Sequence, residues 1–417
     1  MLTRRAFLSS SGIALVATGL GGVPSFLTRA ACAAPGPAYG ARRKVLVCVF
    51  QRGAMDGLAA VQPLSSPFLE RLRPGLALSH RGENALLALG QDMGLHPAMA
   101  PLAPLYREGV LGVVHGAGSV VPTRSHFDAQ DFMETGVAEK HERSSGWLNR
   151  ASGALGHEAP QTPFRAVALT PTLPLSLQGD APALAIADLD RFGVAARGAR
   201  GLDAAGQGLE ALYAQTARDV LGSASREGFD AVRALESARL GTLNASGVEY
   251  PRSPLGRSLS QIAQLVKADL GLEIAFAESG GWDTHARQGG LTGGFARRAG
   301  DLAASVAAFW QDLGPHQAEV TVLTMTEFGR TVAQNGSGGT DHGRGSCLFV
   351  LGGEVEGGTI HGTLPTSLDP DALEDGRDLP VTTDFRAVFA GVAGAHLGLE
   401  RPGDLFPGWS GSPFRVM

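Results

Sequence analysis

The chain predicts an α/β protein, a three-layer α/β/α arrangement around a mostly parallel central sheet. Three observations carry this. Continuous apolar, β-branched runs such as 44–50 (KVLVCVF) and 320–323 have the pattern of strands covered on both faces. Segments with helical apolar spacing, such as 258–267 (SLSQIAQLVK), alternate with them, as right-handed crossovers between parallel strands require. Several strand-like runs also open into glycine-rich stretches bearing Asp, Glu, His or Arg. Open α/β sheets gather their ligands at such strand ends.

The amino terminus speaks to compartment. Thr3-Arg4-Arg5-Ala6-Phe7-Leu8 is a twin-arginine motif, followed by an apolar run through Ala14, Leu15, Val16 and Leu20. Ala31-Cys32-Ala33 then offers an A-x-A cleavage site. Residues 1–33 are therefore expected to be a signal peptide handled by the Tat translocase, with a mature protein that is periplasmic or secreted. An uncleaved anchor is the competing reading; the apolar run is short for it and broken by glycine. A Pro/Gly/Ala linker follows at 34–43, and 44–417 reads as a single α/β domain with a helical cap or flank at about 180–256. No further segment is long and apolar enough to span a bilayer, so no stable membrane insertion is expected once the signal is removed.

The formal net charge is -5, and residues 1–33 hold three arginines and no acid, so the remainder stands at -8. That disfavours nucleic acid, whose phosphates call for clustered Lys and Arg. Beyond residue 33 only Cys48 and Cys347 remain, both inside apolar runs. Two buried free thiols are expected rather than a disulfide.

In chain order, the first strand ends in Gln51-Arg52-Gly53-Ala54-Met55-Asp56-Gly57. Asp56 reads either as a turn residue, since Asp-Gly is turn chemistry, or as a ligand at a strand end. A helix is expected over 96–106 and a second strand over 110–115. Ser125 with Asp128 three residues on resembles a capping box, so a helix starts there. Ser125 is then a cap or, beside a cation at a helix amino terminus, a nucleophile. His126 stays open between ligand, base and surface residue. The stretch 160–179 is turn-rich and β-like, and 204–243 is a long helical region.

A strand at 272–277 leads into GGWDTH, with Asp283 and His285 two residues apart; a lone pair of this kind is equally a hydrogen-bonded loop feature. A helix over 293–313 with Leu302, Val306 and Phe309 on one face comes next. The strand beginning at 320 opens into the stretch on which the chain centres, TMTEFGRTVAQNGSGGTDHG, carrying Glu327, Arg330, Asp341 and His342. Glycine there lets backbone approach a ligand closely. A last strand at 347–351, Thr359-Ile360-His361-Gly362 and a closing helix at 384–397 complete the chain.

Asp56, Asp283, His285, Asp341 and His342 all follow strand ends, and in a parallel sheet those ends share one edge. Together they offer oxygen and imidazole ligands for one or two divalent cations: Zn, Mn, Mg or Ca. Arg330 or Arg52 would pair with an anionic substrate.

The succession RGAMDGL, SHFDAQDFMETG, GGWDTH, TEFGRT, GTDHG and PVTTDFR resembles the DUF1501 family of exported bacterial proteins, from about Arg43 to the carboxyl terminus. That family is assigned to the alkaline phosphatase and sulfatase superfamily. The resemblance implies an alkaline-phosphatase-like fold with Asp56 as first-strand metal ligand and Ser125 in the nucleophile's place. It makes Asp283 with His285 the later metal pair, at a spacing narrower than usual there, and Asp341-His342 the adjacent pair. His361 falls where a final ligand is expected, although tyrosine is usual in DUF1501. No C/S-x-P-x-R context surrounds Ser125, which argues against a formylglycine sulfatase. The expected activity is metal-dependent hydrolysis of a small anionic phosphate or related ester, with Ser125, His126 and Arg330 as catalytic groups. A non-catalytic exported binding or assembly protein on the same fold is the alternative. An oxidoreductase rests on the export route alone, with no dinucleotide fingerprint.

Overall fold

A computed structural model describes residues 43–138, 145–156, 162–189, 247–365 and 367–417. The twin-arginine segment at 1–33, most of the linker, and the bulk of the expected cap, including 204–243, lie outside the described residues. The large sheet contains β1 (Val45–Gln51), β2 (Leu111–Gly118), β3 (Ala166–Ala168), β4 (Leu184–Ala185) and β5 (Ile274–Ser279). It is completed by β6 (Val320–Met325), β7 (Ser346–Gly352), β8 (Ile360–His361) and β9 (Thr383–Asp384). Its spatial order is β8-β2-β7-β6-β1-β5-β3-β4, with β9 also on β2.

Every pairing is parallel except those of β7, which runs antiparallel to both β2 and β6. The expectation of a mostly parallel sheet is met, with β7 as the exception. That reversal matters for function. Phe50 lies opposite both Glu278 and Met325, so β1, β5 and β6 end level. The amino end of antiparallel β7 sits at the same edge, where Ser346 pairs with Ala117 near the end of β2. Four loops therefore emerge side by side.

All seven residues of β1 are buried, as a strand covered on both faces must be. One face packs on α3 (Pro254–Lys267) and α4 (Gly294–Leu313) through Leu259, Ile262, Leu302, Val306 and Phe309. Each such side chain contributes about 1.5–3 kcal/mol when buried. The other face packs on α1 (His126–Thr135), α2 (Trp147–Ala154) and α5 (Phe385–Leu397), with Phe132, Trp147, Phe385 and Phe389 at its centre. Helix, sheet and helix make three layers. Cys48 and Cys347 fall in these two separate core clusters, both free and buried, and burial pushes their thiols up.

Two local expectations change. The helix expected over 96–106 is a 3-10 turn at Pro97–Leu102 followed by a five-residue helix at Ala103–Arg107. Prolines at 101 and 104 withhold the amide hydrogens a longer α-helix needs. A small antiparallel sheet of Val61–Pro63, Met93–Leu95 and Leu87–Leu89, not foreseen, lies between β1 and β2 in the chain. No helix among the described residues is long and apolar enough to cross a membrane.

Candidate metal centre

The edge where the four loops emerge gathers three histidines around one aspartate. His126 opens α1, after the loop that leaves β2. Asp283 and His285 follow β5, and His342 lies in the long loop from β6 to β7. Close backbone packing brings these loops together, and two glycines permit it. A Cβ on Gly53, whose φ is +111°, would stand 2.6 Å from the amide nitrogen of Asp283. One on Gly339 would stand 2.4 Å from the carbonyl carbon of His285. Neither position admits a side chain without moving a ligand-bearing loop.

Each imidazole has its Nδ1 committed to an oxygen. His126 Nδ1 lies 2.9 Å from Glu327 Oε1, His285 Nδ1 lies 3.0 Å from Asp341 Oδ1, and His342 Nδ1 lies 2.7 Å from the carbonyl oxygen of Arg124. A carbonyl or carboxylate only accepts, so each Nδ1 carries the hydrogen and each neutral ring keeps a lone pair at Nε2. All three Nε2 atoms face Asp283 Oδ1, at 3.4 Å from His126, 3.0 Å from His285 and 3.3 Å from His342. His285 Nε2 and His342 Nε2 are 2.9 Å apart. Four lone-pair-bearing atoms thus converge with no hydrogen of their own between them.

His126 Nε2 is buried and has no hydrogen-bond partner among the described residues; its 3.4 Å approach to Asp283 is an ion-pair separation only. An orphaned imidazole nitrogen aimed at a carboxylate fits a cation placed between them. Ligands about 2.0–2.2 Å from a tetrahedral ion stand roughly 3.3–3.5 Å apart, close to the wider separations here. His126, Asp283 and His342 offer atoms all within 4.8 Å of one another, and His285 adjoins two of them.

The two carboxylates nearest the imidazoles are held ionised. The hydrogen bond from His126 to Glu327 pulls the His126 pKa up, against its partial burial. Burial pushes the fully enclosed Glu327 carboxyl up, yet the donors His126, Gln130 and Gly53 hold it below its ordinary value. Partial burial likewise opposes ionisation of Asp283, but Arg330 Nη1, 2.8 Å away, holds its carboxyl low. Burial keeps His342 low, consistent with a neutral ligand ring. Side-chain exposures of 42% for Asp283 and 44% for His285 leave this face open to solvent.

The structure places the remaining candidates elsewhere or in supporting roles. Asp56, expected as a metal ligand, is 2% exposed, caps the short helix Gly57–Ala60 and directs both oxygens at Arg73 Nη1, at 3.1 and 2.9 Å. The turn reading describes it better. Asp341 Oδ1 accepts from Asn335 and faces His285 Nδ1, so in this arrangement Asp341 orients the His285 ring. Its carboxyl is held low by Asn335 first and His285 second. His361 sits on β8 beside Gly112, at the start of β2 and away from the loop edge, with Nε2 on the carbonyl oxygen of Glu356. Arg330 is buried and engages Thr340 and Asp283. Arg52 is held by Glu278, Gln130 and Glu134. Both guanidiniums are thus engaged within the protein.

Ser125 is the N-cap of α1 by backbone conformation, but its side chain makes no cap hydrogen bond. It stands between Arg124 and His126, both of which touch His342. Glu327 and Gln130, which define the back of the His126 ring, carried no assigned role in the sequence reading; a buried acid beside the β6 strand end is the signal that marks Glu327.

The family model described as "Protein of unknown function (DUF1501)" matches residues 43–406, and the chain belongs to that family. No curated protein and no solved structure matches the chain.

Proposed function

We propose that this is an exported, metal-dependent hydrolase of phosphate or related esters, built on one cation held by His126, Asp283, His285 and His342. The observation that supports it is the commitment of all three Nδ1 atoms to oxygens while all three Nε2 atoms face Asp283 Oδ1. Three imidazoles and one carboxylate suit a borderline ion such as zinc better than Mg or Ca, which prefer all-oxygen sets. When bound, such an ion supplies Lewis-acid stabilisation to an anionic ester and to the hydroxyl that attacks it.

The chain's own residues do the rest. Glu327 fixes the His126 tautomer and ring plane, as acids behind ligating histidines generally do. The ring of Phe328 stacks on His126 at 5.0 Å and limits its rotation. Ser125, its hydroxyl not consumed by capping, lies at the amino terminus of a ten-residue helix whose dipole favours a developing negative charge. It is the proposed nucleophile, and the open face beside Asp283 and His285 admits the substrate.

Elemental analysis of the purified protein should find about one zinc-like ion per chain, and chelation should abolish turnover of a phosphate monoester or diester. Full activity in a metal-free preparation would overturn the proposal. Ser125→Ala should lower turnover by on the order of 10³-fold or more with metal content unchanged. Unchanged turnover in that variant would move the nucleophile's role to water. The competing reading is a non-catalytic exported binding protein with one structural ion. It is favoured by the engagement of Arg52 and Arg330 within the protein, and a metal-loaded preparation inert to every ester offered would select it.

A further inference from the structure

We propose that Gln288 is the positioning residue that sets the geometry of the metal centre, gathering its two principal loops on one amide and taking its own orientation from Asp56. This rests on the metal reading above. Gln288 is 0% exposed, and its side-chain hydrogen bonds go to Thr284, Thr340 and Asp56 rather than to the four ligand side chains. Its Oε1 accepts from Thr284 Oγ1 at 2.8 Å and from Thr340 Oγ1 at 2.7 Å. Thr284 is the residue between Asp283 and His285; Thr340 immediately precedes Asp341 and His342. One carbonyl oxygen therefore joins the loop after β5 to the loop between β6 and β7, at the residues next to the ligands.

The hydrogen-bond directions leave no freedom in this arrangement. Gln288 Nε2 donates to Asp56 Oδ2 at 2.7 Å, and a carboxylate cannot donate in return. A flipped amide would set its oxygen against that carboxylate, so Asp56 dictates that the carbonyl faces the threonines. Thr340 then spends its only hydroxyl hydrogen on Gln288, which turns a lone pair toward Arg330 Nε at 3.2 Å. The carbonyl of Thr340 also accepts from Arg330 Nη2. Held at two points, the planar guanidinium presents Nη1 to Asp283 Oδ1 at 2.8 Å, the same oxygen the three Nε2 atoms face. The relay runs from Asp56 through Gln288, Thr340 and Arg330 to Asp283.

Its test is titration of the full chain, stripped of metal, with cobalt(II). The readouts are the dissociation constant, the visible absorption that reports coordination geometry, and the melting temperature. Gln288→Met keeps the volume and removes both hydrogen-bonding functions. Thr340→Val removes the hydroxyl, and Thr340→Ser restores it. The expected result is a 10–100-fold weaker cobalt affinity with an altered spectrum in Gln288→Met and Thr340→Val, the size typical when a partner behind a ligand is lost. Thr340→Ser should rescue both. Wild-type affinity and spectrum in Thr340→Val and Gln288→Met, with only the melting temperature lowered, would overturn the positioning role while leaving the metal centre standing. If Gln288→Met fails to fold, the threonine pair decides alone. No cobalt binding by the wild-type chain would overturn the metal reading and this inference with it.

Discussion

Arg73→Met should destabilise the fold by about 3–5 kcal/mol, a large share of the margin that keeps a domain folded. Arg73 and Asp56 are each 1% exposed at the side chain, with Nη1 of the arginine 2.9 Å from Asp56 Oδ2. The rest of the guanidinium is taken up by main chain: Nε donates to the carbonyl of Val332 at 2.7 Å and Nη2 to that of Thr331 at 2.7 Å. Methionine fills much of the space but leaves a buried carboxylate with only Gln288 and one backbone amide, and two carbonyls without donors. Pairing the substitution with Asp56→Leu removes the stranded charge, so the double variant should recover part of the loss. Urea denaturation of both single variants and the double variant measures the coupling. If the double variant lost the sum of the two single losses, Asp56 and Arg73 would not be acting as a pair.

The same residues explain which features were legible in the sequence. The strands at 45–51, 274–279, 320–325 and 346–352 announced themselves because burial on both faces demands unbroken apolar runs. Asp56 was correctly placed at a strand end, yet its partner lies seventeen residues on, beyond a short antiparallel strand with no strong periodicity. A one-dimensional pattern can flag a buried charge but not the charge that will face it. Asp283, His285 and His342 stand out in the sequence because each sits in a compact loop motif next to a strand. The sequence alone leaves the role of His126 open, since the acid that gives its ring a direction, Glu327, is 201 residues away. The reversal of β7 was invisible for a related reason: a run of apolar residues reads the same in either direction. It nonetheless returns the 326–345 loop to the site edge from both of its ends.

Stability should fall steeply with acid between pH about 6.5 and 4, because the structure buries two histidines in the neutral state. His115 and His396 are 0% and 4% exposed, and burial pushes both rings down from 6.5 to about 4. Their hydrogen bonds explain why protonation is resisted. His115 Nε2 donates to the carbonyl of Val61, and its Nδ1 accepts from the amide of Gly116, a donor that cannot reverse. His396 Nε2 donates to the carbonyl of Val45, while its Nδ1 meets the hydroxyl of Thr321, which can turn. Asp56 near His115, and Glu354 near His396, pull the other way but do not offset burial, and Lys44 adds to the depression at His396. As pH drops below 6.5 the unfolded chain takes up protons at these rings and the native chain does not, so unfolding is favoured until pH about 4, where both states are protonated. The separation corresponds to on the order of 3 kcal/mol for each ring. His96, also lowered by burial, acts in the same direction. Urea midpoints measured at intervals from pH 7.5 to 4 should trace this loss, and His396→Gln, which has no proton to gain, should show a distinctly shallower slope. A slope identical to that of the unaltered protein would mean that His396 titrates normally in the native state, against its burial and its bond to Val45.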